Sequence, residues 1–548
     1  MAHALAGKPI QEQDIIDIQT IVDAYYDTVP DMTDLTQLVS FGTSGHRGTS
    51  VDGTFTDLHV AAITQAICDS RNRFGATGPI FVGQDTHALS QPALVTVLEV
   101  LAGNGVTAMV DCNMDFVPTP SISRAIIRYN EQHDDKADGI IITPSHNPPD
   151  NGGIKYNTII GGPADTVITK WIEIRANEYL TAYCESENFK RISIDNIEPS
   201  AQVPYDYKGL YVEELGDIIN MEAIKAAGPK TLVDTLGGSG ASYWIAIKER
   251  YGLDLTIIHD NYDPTFSFMT YDHDGKVRMD CSSPHVMASV INRIGDFDLA
   301  VGNDPDYDRY GVVVSSGLIS ANTFLTLAAR YLFTTRGWKH KGIGKTVVCT
   351  TMIDKWAATV DIPVFEVPVG FKYFSQLLFD GAIGIGGEES AGASFLKKDG
   401  TVWTTDKDGM IMALLGMEIM AVMGKSALKM ADEFHEEFGN PRFGRIDAPC
   451  KKKQKQILKQ MSSELITATT VDGDPITNIR TTSLYNDMPI DGVRVETDKG
   501  WFVARPSGTE DLYKIYGESY KGDLGLVALL TAGEEIVNAA LNGTIEIE

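Results

Sequence analysis

Ser145 is the residue whose surroundings most clearly suggest chemistry. It lies in Thr-Pro-Ser-His-Asn-Pro-Pro at 143–149, directly after the apolar run 139–142. The prolines restrict the backbone on both sides of the serine, His146 is its neighbour, and Lys155 follows in the sequence. A hydroxyl held in a stiff loop near basic groups is typical of a serine that accepts a transferred group. Ser-His beside proline also occurs in ordinary turns, so this segment alone leaves both interpretations open.

Three carboxylates at alternate positions in Asp-Pro-Asp-Tyr-Asp-Arg at 304–309 suggest a metal site. They are those of Asp304, Asp306 and Asp308. In an extended backbone, alternate side chains share one face, so all three could converge on one ion. Hard oxygen ligands suit Mg²⁺ or Mn²⁺. An EF-hand is excluded because Arg309 would stand at its glycine position, and a solvated acidic turn remains the alternative.

Two further loops carry groups that bind sugar hydroxyls or anions. Gly-Gly-Glu-Glu-Ser-Ala-Gly at 386–392 offers Glu388 and Ser390 to sugar hydroxyls, although acids are also favoured where a glycine turn leads into a helix. Arg505 begins Arg-Pro-Ser-Gly-Thr at 505–509 and can hold phosphate through two parallel hydrogen bonds. The other donors of this loop are Ser507, the backbone at Gly508, and Thr509. A hairpin turn between strands is the alternative.

Together these loops describe a phosphoryl-transfer site that needs nearby cations. Three aspartates and a phosphoserine would carry a charge of about −5, of which a divalent cation offsets only +2. The candidate cations are His146, Lys155, Arg309 and Arg47, the last from the glycine-rich segment 41–48. That segment is equally well explained as an N-terminal connector.

Composition limits the classes of partner. The 548 residues carry a formal charge of −28, which argues against nucleic-acid binding because that requires a basic surface. The six cysteines form no Cys-x-x-Cys pair, so we expect free thiols in a reducing compartment. The first residues lack the apolar core of a signal peptide, and the apolar stretch 410–423 is too short for a membrane span. We therefore expect a cytoplasmic protein without a nucleic-acid or membrane partner.

Strand and helix patterns alternate three times along the chain and predict parallel α/β sheets. The predicted strands are 80–83, 107–110, 139–142, 231–234, 255–258, 298–301, 346–349, 364–367 and 382–385. The predicted helices are 91–102, 121–129, 241–251, 284–293, 353–360 and 371–379. The candidate loops follow strands, and parallel α/β sheets bind ligands beyond the carboxyl ends of their strands. Gly342–Thr346 suggests a P-loop, but we reject it because residue 339 is lysine and the predicted strand follows the motif.

The last part of the chain has a different pattern. A helix at 451–465, strands at 492–496, 501–504 and 512–516, and a closing helix at 525–541 predict an antiparallel α+β domain. The predicted domains are therefore 1–200, 201–320 and 321–435, which are α/β, and 436–548, which is α+β.

Five motifs resemble those of the α-D-phosphohexomutase superfamily, in the order in which that family carries them. They are Thr-Ser-Gly-His-Arg-Gly at 43–48, Thr-Pro-Ser-His-Asn-Pro at 143–148, Asp-Pro-Asp-Tyr-Asp-Arg at 304–309, Gly-Glu-Glu-Ser-Ala-Gly at 387–392 and Arg-Pro-Ser-Gly-Thr-Glu at 505–510. The resemblance implies three similar α/β domains with mostly parallel sheets and a C-terminal α+β domain, arranged around a central cleft.

The resemblance also implies residue roles. Ser145 would be a phosphoserine whose phosphoryl oxygen, with Asp304, Asp306 and Asp308, binds Mg²⁺. His146 and Lys155 match positions proposed for proton transfer, and Arg47 and Arg309 would act at the transferring group. The implied substrate-binding residues are Thr43, Lys372, Glu388, Ser390, Arg505, Ser507, Gly508 and Thr509.

The implied reaction is the interconversion of glucose 1-phosphate and glucose 6-phosphate, with glucose 1,6-bisphosphate as intermediate and activator. Glu389 is like the glucose-specific members and supports glucose by analogy only. Another phosphohexomutase such as a phosphomannomutase, a metal-dependent sugar phosphatase and a non-catalytic sugar-phosphate sensor are the alternatives. The partner would be a small phosphosugar, and the protein a monomer or homodimer.

Overall fold

The chain forms two compact units in the computed structural model, which describes residues 3–42, 44–184, 189–506 and 512–547. The first unit comprises Met1–Ala321, Phe374–Ala382 and Ser390–Leu428. The second comprises Asn322–Tyr373, Ile383–Glu389 and Lys429–Glu548. The four-domain boundaries at 200, 320 and 435 remain a proposal.

The described strands are short and mostly buried. They are β1 His46–Thr49, β2 Ile80–Gln84, β3 Ala108–Asp111, β4 Asp138–Ile142, β5 Asn151–Asn157, β6 Gln202–Tyr205, β7 Thr231–Asp234, β8 Leu255–Ile258, β9 Leu299–Asn303, β10 Tyr310–Val314, β11 Gly317–Leu318, β12 Gly342–Thr346, β13 Val364–Val367, β14 Ile383–Gly387, β15 Ala393–Phe395, β16 Arg442–Pro449, β17 Thr470–Val471, β18 Asp474–Thr482, β19 Pro489–Thr497, β20 Gly500–Pro506 and β21 Leu512–Ser519.

The described α-helices mostly connect these strands, while the first precedes them and the last follows them. They are α1 Ile18–Asp27, α2 Asp57–Ser70, α3 Ser90–Gly103, α4 Thr119–Gln132, α5 Thr166–Cys184, α6 Tyr207–Ile218, α7 Met221–Ala227, α8 Ala241–Tyr251, α9 Ala288–Ile291, α10 Ala321–Thr335, α11 Met352–Thr359, α12 Lys372–Phe379, α13 Gly409–Met423, α14 Ala427–Phe438, α15 Lys452–Lys459 and α16 Gly522–Ile547.

The first unit contains two sheets whose parallel strands end at the candidate loops. The first sheet has the order β1-β5-β4-β2-β3-β6, with β2 parallel to both β3 and β4. The second has the order β11-β10-β9-β7-β8, with β7 parallel to β8 and β9. Residues 143–149 follow β4 and residues 304–309 follow β9. The carboxyl ends of these strands therefore present both loops, as expected for α/β sheets.

The second unit combines a parallel and an antiparallel sheet. Strand β12 pairs in parallel with β13 and β14. The C-terminal sheet has the order β16-β21-β20-β19-β18-β17, and each neighbouring pair of its strands is antiparallel. The predicted fold class, three α/β parts with mostly parallel strands followed by an α+β part, is confirmed.

Three predicted elements are wrong in position or length. The strand expected at 346–349 is β12, so Gly342–Thr346 is itself a strand, and a Cβ on Gly342 would lie 2.1 Å from a ring carbon of Phe365. These glycines obscured the strand, since glycine weakens strand patterns yet permits this close packing. The helix expected at 284–293 is reduced to α9, because turns around the buried Met287 replace its flanks. The helix expected at 451–465 ends at Lys459.

Two further segments are glycine-rich or apolar. Residues 151–153 contain two glycines and begin β5, which pairs with β4 and β1. Gly522–Asn542 is the one described helix that alone meets the length and hydropathy expected of a membrane span, whereas the stretch 410–423 lies in the shorter α13. Leu529, Leu530 and Val537 of this helix are buried in the C-terminal core, so its apolar face is already used in packing.

Candidate active site

Ser145 occupies a strained loop position directly above the first sheet. Its φ of 61° lies in the left-handed region, which costs a non-glycine residue about 1–2 kcal/mol. Its backbone N–H donates to Thr143 Oγ1 at 2.7 Å, and its Oγ donates to Asp304 Oδ2 at 2.9 Å. His146 Nδ1 lies 3.2 Å from the same Oγ. The loop therefore directs a buried hydroxyl at one of the three aspartates.

The buried carboxylate of Asp85 stabilises the loop that carries Ser145. Asp85, just after β2, accepts hydrogen bonds from Thr143 Oγ1 at 2.6 Å and Ser90 Oγ at 2.6 Å. His87 Nδ1 lies 2.8 Å from Asp85, and His87 Nε2 lies 3.1 Å from the carbonyl oxygen of Asn147. Burial alone would raise the pKa of Asp85, but His87 and the hydroxyl donors lower it overall. Sequence reasoning missed Asp85 and His87, although their place at a strand end was a signal.

The three aspartates converge because the loop turns back on itself. One carboxylate oxygen from each of Asp304, Asp306 and Asp308 lies within 4.8 Å of the others. The expected extended backbone is wrong, because Tyr307 has a φ of 63° and its N–H donates to the carbonyl oxygen of Asp304 at 2.9 Å. Gly240 lies so close to the buried Tyr307 ring that a Cβ there would approach it to 2.5 Å. The turn, rather than strand alternation, brings the carboxylates together.

The carboxylate set fits a hard divalent cation. Asp306 Oδ1 and Asp308 Oδ1 are buried and accept no hydrogen bond from the described part of the chain, and unpaired buried polar atoms are costly unless another group satisfies them. Burial and the neighbouring Asp306 and Asp308 raise the pKa of Asp304 well above its ordinary value. A divalent cation would relieve both features, since it supplies positive charge and accepts oxygen ligands.

Two lysines offset part of this negative charge. Lys155 Nζ donates to Asp306 Oδ2 at 2.6 Å and to Asp308 Oδ2 at 3.1 Å. Burial would lower the pKa of Lys155, but Asp306 and Asp308 outweigh it and raise the pKa above its ordinary value. Lys407 Nζ lies 2.8 Å from Asp308 Oδ2. Sequence reasoning missed Lys407, whose signal was a charged run, Asp-Lys-Asp at 406–408, just before a helix.

The other candidate cations lie in or beside the loop of Ser145 and the metal loop, residues 304–309. Arg309 Nη1 donates to Asp280 Oδ2 at 3.1 Å, and His146 Nε2 lies 3.9 Å from the same oxygen. Burial and Arg309 together hold the pKa of His146 well below its ordinary value despite Asp280. Arg47 Nη1 donates to Asn147 Oδ1 at 3.4 Å. A neutral imidazole and two guanidinium groups therefore belong to the same region as Ser145.

The predicted sugar and phosphate residues are distributed between the two units. Ser390 belongs to the first unit, where the carbonyl oxygen of Ala391 accepts from Tyr310 N–H at 3.1 Å, beside the metal loop. Glu388, Lys372 and Arg505 belong to the second unit. The predicted residues outside the described part of the chain are Thr43, Ser507, Gly508 and Thr509.

Within the second unit, Arg505 and Glu389 each bond to a neighbouring strand. Arg505 Nε donates to the carbonyl oxygen of Ile490 at 2.9 Å, which ties β20 to β19. Glu388 is buried immediately after β14. The adjacent Glu389 accepts from Thr346 Oγ1 at 3.2 Å. Glu389 is thus held by β12, and Glu388 is the other carboxylate of this loop.

Family models cover most of the chain. Models described as phosphoglucomutase/phosphomannomutase alpha/beta/alpha domains I, II and III match residues 38–182, 210–317 and 320–438. The model for the C-terminal domain of the same family matches residues 446–524. The resemblance seen in the motifs is therefore confirmed along the chain.

Individual relatives agree with the family models. A phosphoglucomutase of Komagataeibacter xylinus is 46% identical over 97% of both chains, and phosphoglucomutase 1 of Saccharomyces cerevisiae is 27% identical over 88% of both. A putative phosphomannomutase from Thermus thermophilus shares the fold, with a TM-score of 0.71, 24% identity and coverage of 91% of this chain and 99% of its own. From this fold, this set of motifs and these matches, the chain belongs to the phosphoglucomutase/phosphomannomutase family of the α-D-phosphohexomutase superfamily.

Proposed function

We propose that this protein is a phosphoglucomutase that interconverts glucose 1-phosphate and glucose 6-phosphate. The observation that carries the proposal is the position of Ser145 Oγ, 2.9 Å from Asp304 in a cluster of three buried aspartates. The K. xylinus relative bearing the name phosphoglucomutase, 46% identical over 97% of the chain, supports glucose as the sugar.

In the first half-reaction, Ser145 carries the phosphoryl group as a phosphoserine. The bond between Ser145 Oγ and phosphorus breaks while a bond forms from phosphorus to the free hydroxyl oxygen of glucose 1-phosphate. The attacking C6 hydroxyl loses its proton to a base, and Ser145 Oγ, left with the electron pair of the broken bond, takes up a proton from a neighbouring acid and ends as a hydroxyl. The product is glucose 1,6-bisphosphate, and positioning supplies much of the catalysis of such a transfer.

In the second half-reaction, the bisphosphate presents its other phosphate to Ser145. Phosphorus passes from the sugar C1 oxygen to Ser145 Oγ, the serine proton moves to the sugar oxygen, and glucose 6-phosphate leaves. His146 Nδ1, 3.2 Å from Ser145 Oγ, is suited to hold that proton because its lowered pKa keeps the imidazole neutral. Lys155 remains the other candidate, although its aspartate contacts favour its charged form.

The residues that would hold Mg²⁺ are Asp304, Asp306 and Asp308, with an oxygen of the phosphorylated Ser145. When bound, the cation supplies charge stabilisation to the transferring phosphoryl group. Arg47 and Arg309 would offset the remaining charge. Glu388, Ser390 and Lys372 would contact the sugar phosphate, and Arg505 with the predicted donors Thr43, Ser507, Gly508 and Thr509 would complete substrate binding.

We also propose a cytoplasmic protein, monomeric or homodimeric, that uses glucose 1,6-bisphosphate as activator and has no nucleic-acid or membrane partner. The charge of −28 supports the first of these exclusions. The same site chemistry would serve a phosphomannomutase, so sugar selectivity is part of the test.

A coupled assay on glucose, mannose and glucosamine 1-phosphates, with inorganic phosphate measured in parallel, tests the proposal. We expect fastest turnover to glucose 6-phosphate, little free phosphate, and loss of turnover in Ser145→Ala. Ser70→Ala is the matched control, because that buried hydroxyl donates to the carbonyl oxygen of Ile67 in its own helix. Steady phosphate release would instead indicate a phosphatase, binding without turnover would indicate a sensor, and a preference for mannose would indicate a phosphomannomutase.

A further inference from the structure

Thr119 contacts the metal loop through both its hydroxyl and its backbone. It begins α4 and is fully buried. Its Oγ1 donates to Asp306 Oδ2 at 2.8 Å, and its backbone N–H donates to the carbonyl oxygen of Asp306 at 2.9 Å. The same residue therefore holds both the side chain and the backbone of the central aspartate.

These bonds make the two oxygens of Asp306 different. Oδ2 accepts from Thr119 and from Lys155, the latter at 2.6 Å. Oδ1 is buried and accepts from no described residue. A carboxylate whose one oxygen is held by two donors cannot rotate freely, so the other oxygen keeps a single direction. One carboxylate oxygen from each of Asp304, Asp306 and Asp308 lies within 4.8 Å of the others, and Oδ1 is the oxygen of Asp306 that no described donor holds.

Thr119 is better suited than Lys155 to set this orientation. The lysine is a point charge on a flexible stem and divides its donors between Asp306 and Asp308. The threonine is β-branched and stiff at χ1, and its backbone is attached to the same loop. Its hydroxyl has no capping task in α4, because the N-cap is Pro118 and no side chain caps that helix.

We propose that Thr119 is a positioning residue that selects which oxygen of Asp306 faces the divalent cation. The inference rests on the cation site of the proposed function. Removing a group that hydrogen-bonds to a metal ligand and orients it typically lowers metal affinity about 10- to 100-fold. Thr119 would act on cation affinity rather than on the phosphoryl transfer itself.

Direct Mn²⁺ binding, followed by electron paramagnetic resonance, tests the proposal without relying on turnover. We expect Thr119→Val and the smaller Thr119→Ala to weaken Mn²⁺ binding about 10-fold or more, and Thr119→Ser to restore it. Thr64→Val is the matched control, because Thr64 is a buried helix residue whose hydroxyl bonds the carbonyl oxygen of Val60. In turnover assays, the half-saturating Mg²⁺ concentration should rise in Thr119→Val while kcat at saturating Mg²⁺ changes little.

The outcomes separate this inference from the function on which it rests. Unchanged Mn²⁺ affinity in Thr119→Val and Thr119→Ala, with normal binding by the unmodified protein, would overturn the positioning role alone. Equal weakening by Thr64→Val, or failure of Thr119→Ser to restore affinity, would overturn it too. If the unmodified protein bound no Mn²⁺, or if Asp306→Asn left binding intact, the proposed cation site itself would be lost.

Discussion

At the scale of single residues, the site combines strain with buried charge. Ser145 and Tyr307 both have left-handed backbones, and such conformations persist only where the surrounding structure enforces them. For Ser145 the enforcing contacts run through Thr143 to Asp85. Prolines on either side of the serine predict stiffness, but each fixes only its own φ, so the sign of the serine φ could not be derived from them.

Thr143→Val should impair transfer while leaving Ser145 itself present. The change removes the acceptor of the Ser145 N–H and the donor to Asp85. A small displacement of a reacting group can cost up to about 100-fold in rate, so we expect kcat to fall about 10- to 100-fold. Thr143→Ser, which retains the hydroxyl, should keep most of the activity. Steady-state kinetics on glucose 1-phosphate measures both, and an unchanged kcat in Thr143→Val would show that the support is dispensable.

At the scale of elements, strands are easier to predict from the sequence than the contacts between charged side chains. Apolar runs such as 231–234 and 255–258 became strands at the predicted residues. Strand β12 is predicted at 346–349 rather than at Gly342–Thr346, because its glycines weaken the strand pattern while they accommodate a neighbouring ring. Lys407 escaped prediction because its role depends on a contact with Asp308, distant in sequence. Local patterns thus predict elements, whereas charge partners depend on tertiary packing.

Asp408, which follows Lys407, caps α13 and should make stability depend on pH. Its side chain accepts from Ile411 N–H at 3.1 Å, Trp403 Nε1 at 2.8 Å and Tyr211 OH at 2.7 Å. Burial, partly opposed by these donors, raises the pKa of Asp408 from 3.8 to about 6. Between those values the folded protein binds more protons at this carboxyl than the unfolded chain. Its contribution to the free energy of unfolding is therefore lost as pH rises through about 6.

The neutral variant Asp408→Asn should lack this contribution. Asparagine also caps helices well, so the variant keeps an acceptor for the first turn of α13. We expect the Tm of the unmodified protein, relative to the variant, to fall as pH rises from about 4 to about 6. Calorimetry across that range measures the difference. A Tm difference that stayed constant or grew with pH would contradict the assigned shift.

At the scale of the whole molecule, this strongly acidic protein nevertheless has several cationic side chains at the proposed phosphoryl-transfer site. The overall charge is −28, yet Lys155, Lys407 and Arg309 lie around the three aspartates. Within the second unit, buried charges also join the parallel sheet to the C-terminal sheet. Arg480 donates to Glu366 at 2.5 and 3.0 Å and to Glu496 at 3.1 Å, while Arg494 donates to Glu496 at 2.5 Å.

Glu366→Gln should destabilise the second unit, because it leaves Arg480 with one carboxylate in place of two. Loss of one partner from a buried ion pair costs about 3 kcal/mol or more. Glu213→Gln is the control, since its partner Arg250 is 3.5 Å away and both side chains are exposed; such pairs contribute about 1 kcal/mol or less. In calorimetry, Glu366→Gln should unfold at a lower temperature than the unmodified protein, whereas Glu213→Gln should not. Equal effects of the two changes would mean that the buried network adds little.

The most direct test of the central claim is to follow a phosphoryl group onto Ser145 and off again. The protein is incubated with ³²P-labelled glucose 1,6-bisphosphate, freed of excess ligand and mapped by peptide mass spectrometry, and a second portion is then given unlabelled glucose 1-phosphate. We predict a single phosphoryl group on Ser145 and its transfer to the sugar on the second addition. Label that never resides on Ser145, or that stays there while glucose 6-phosphate accumulates, would contradict the account.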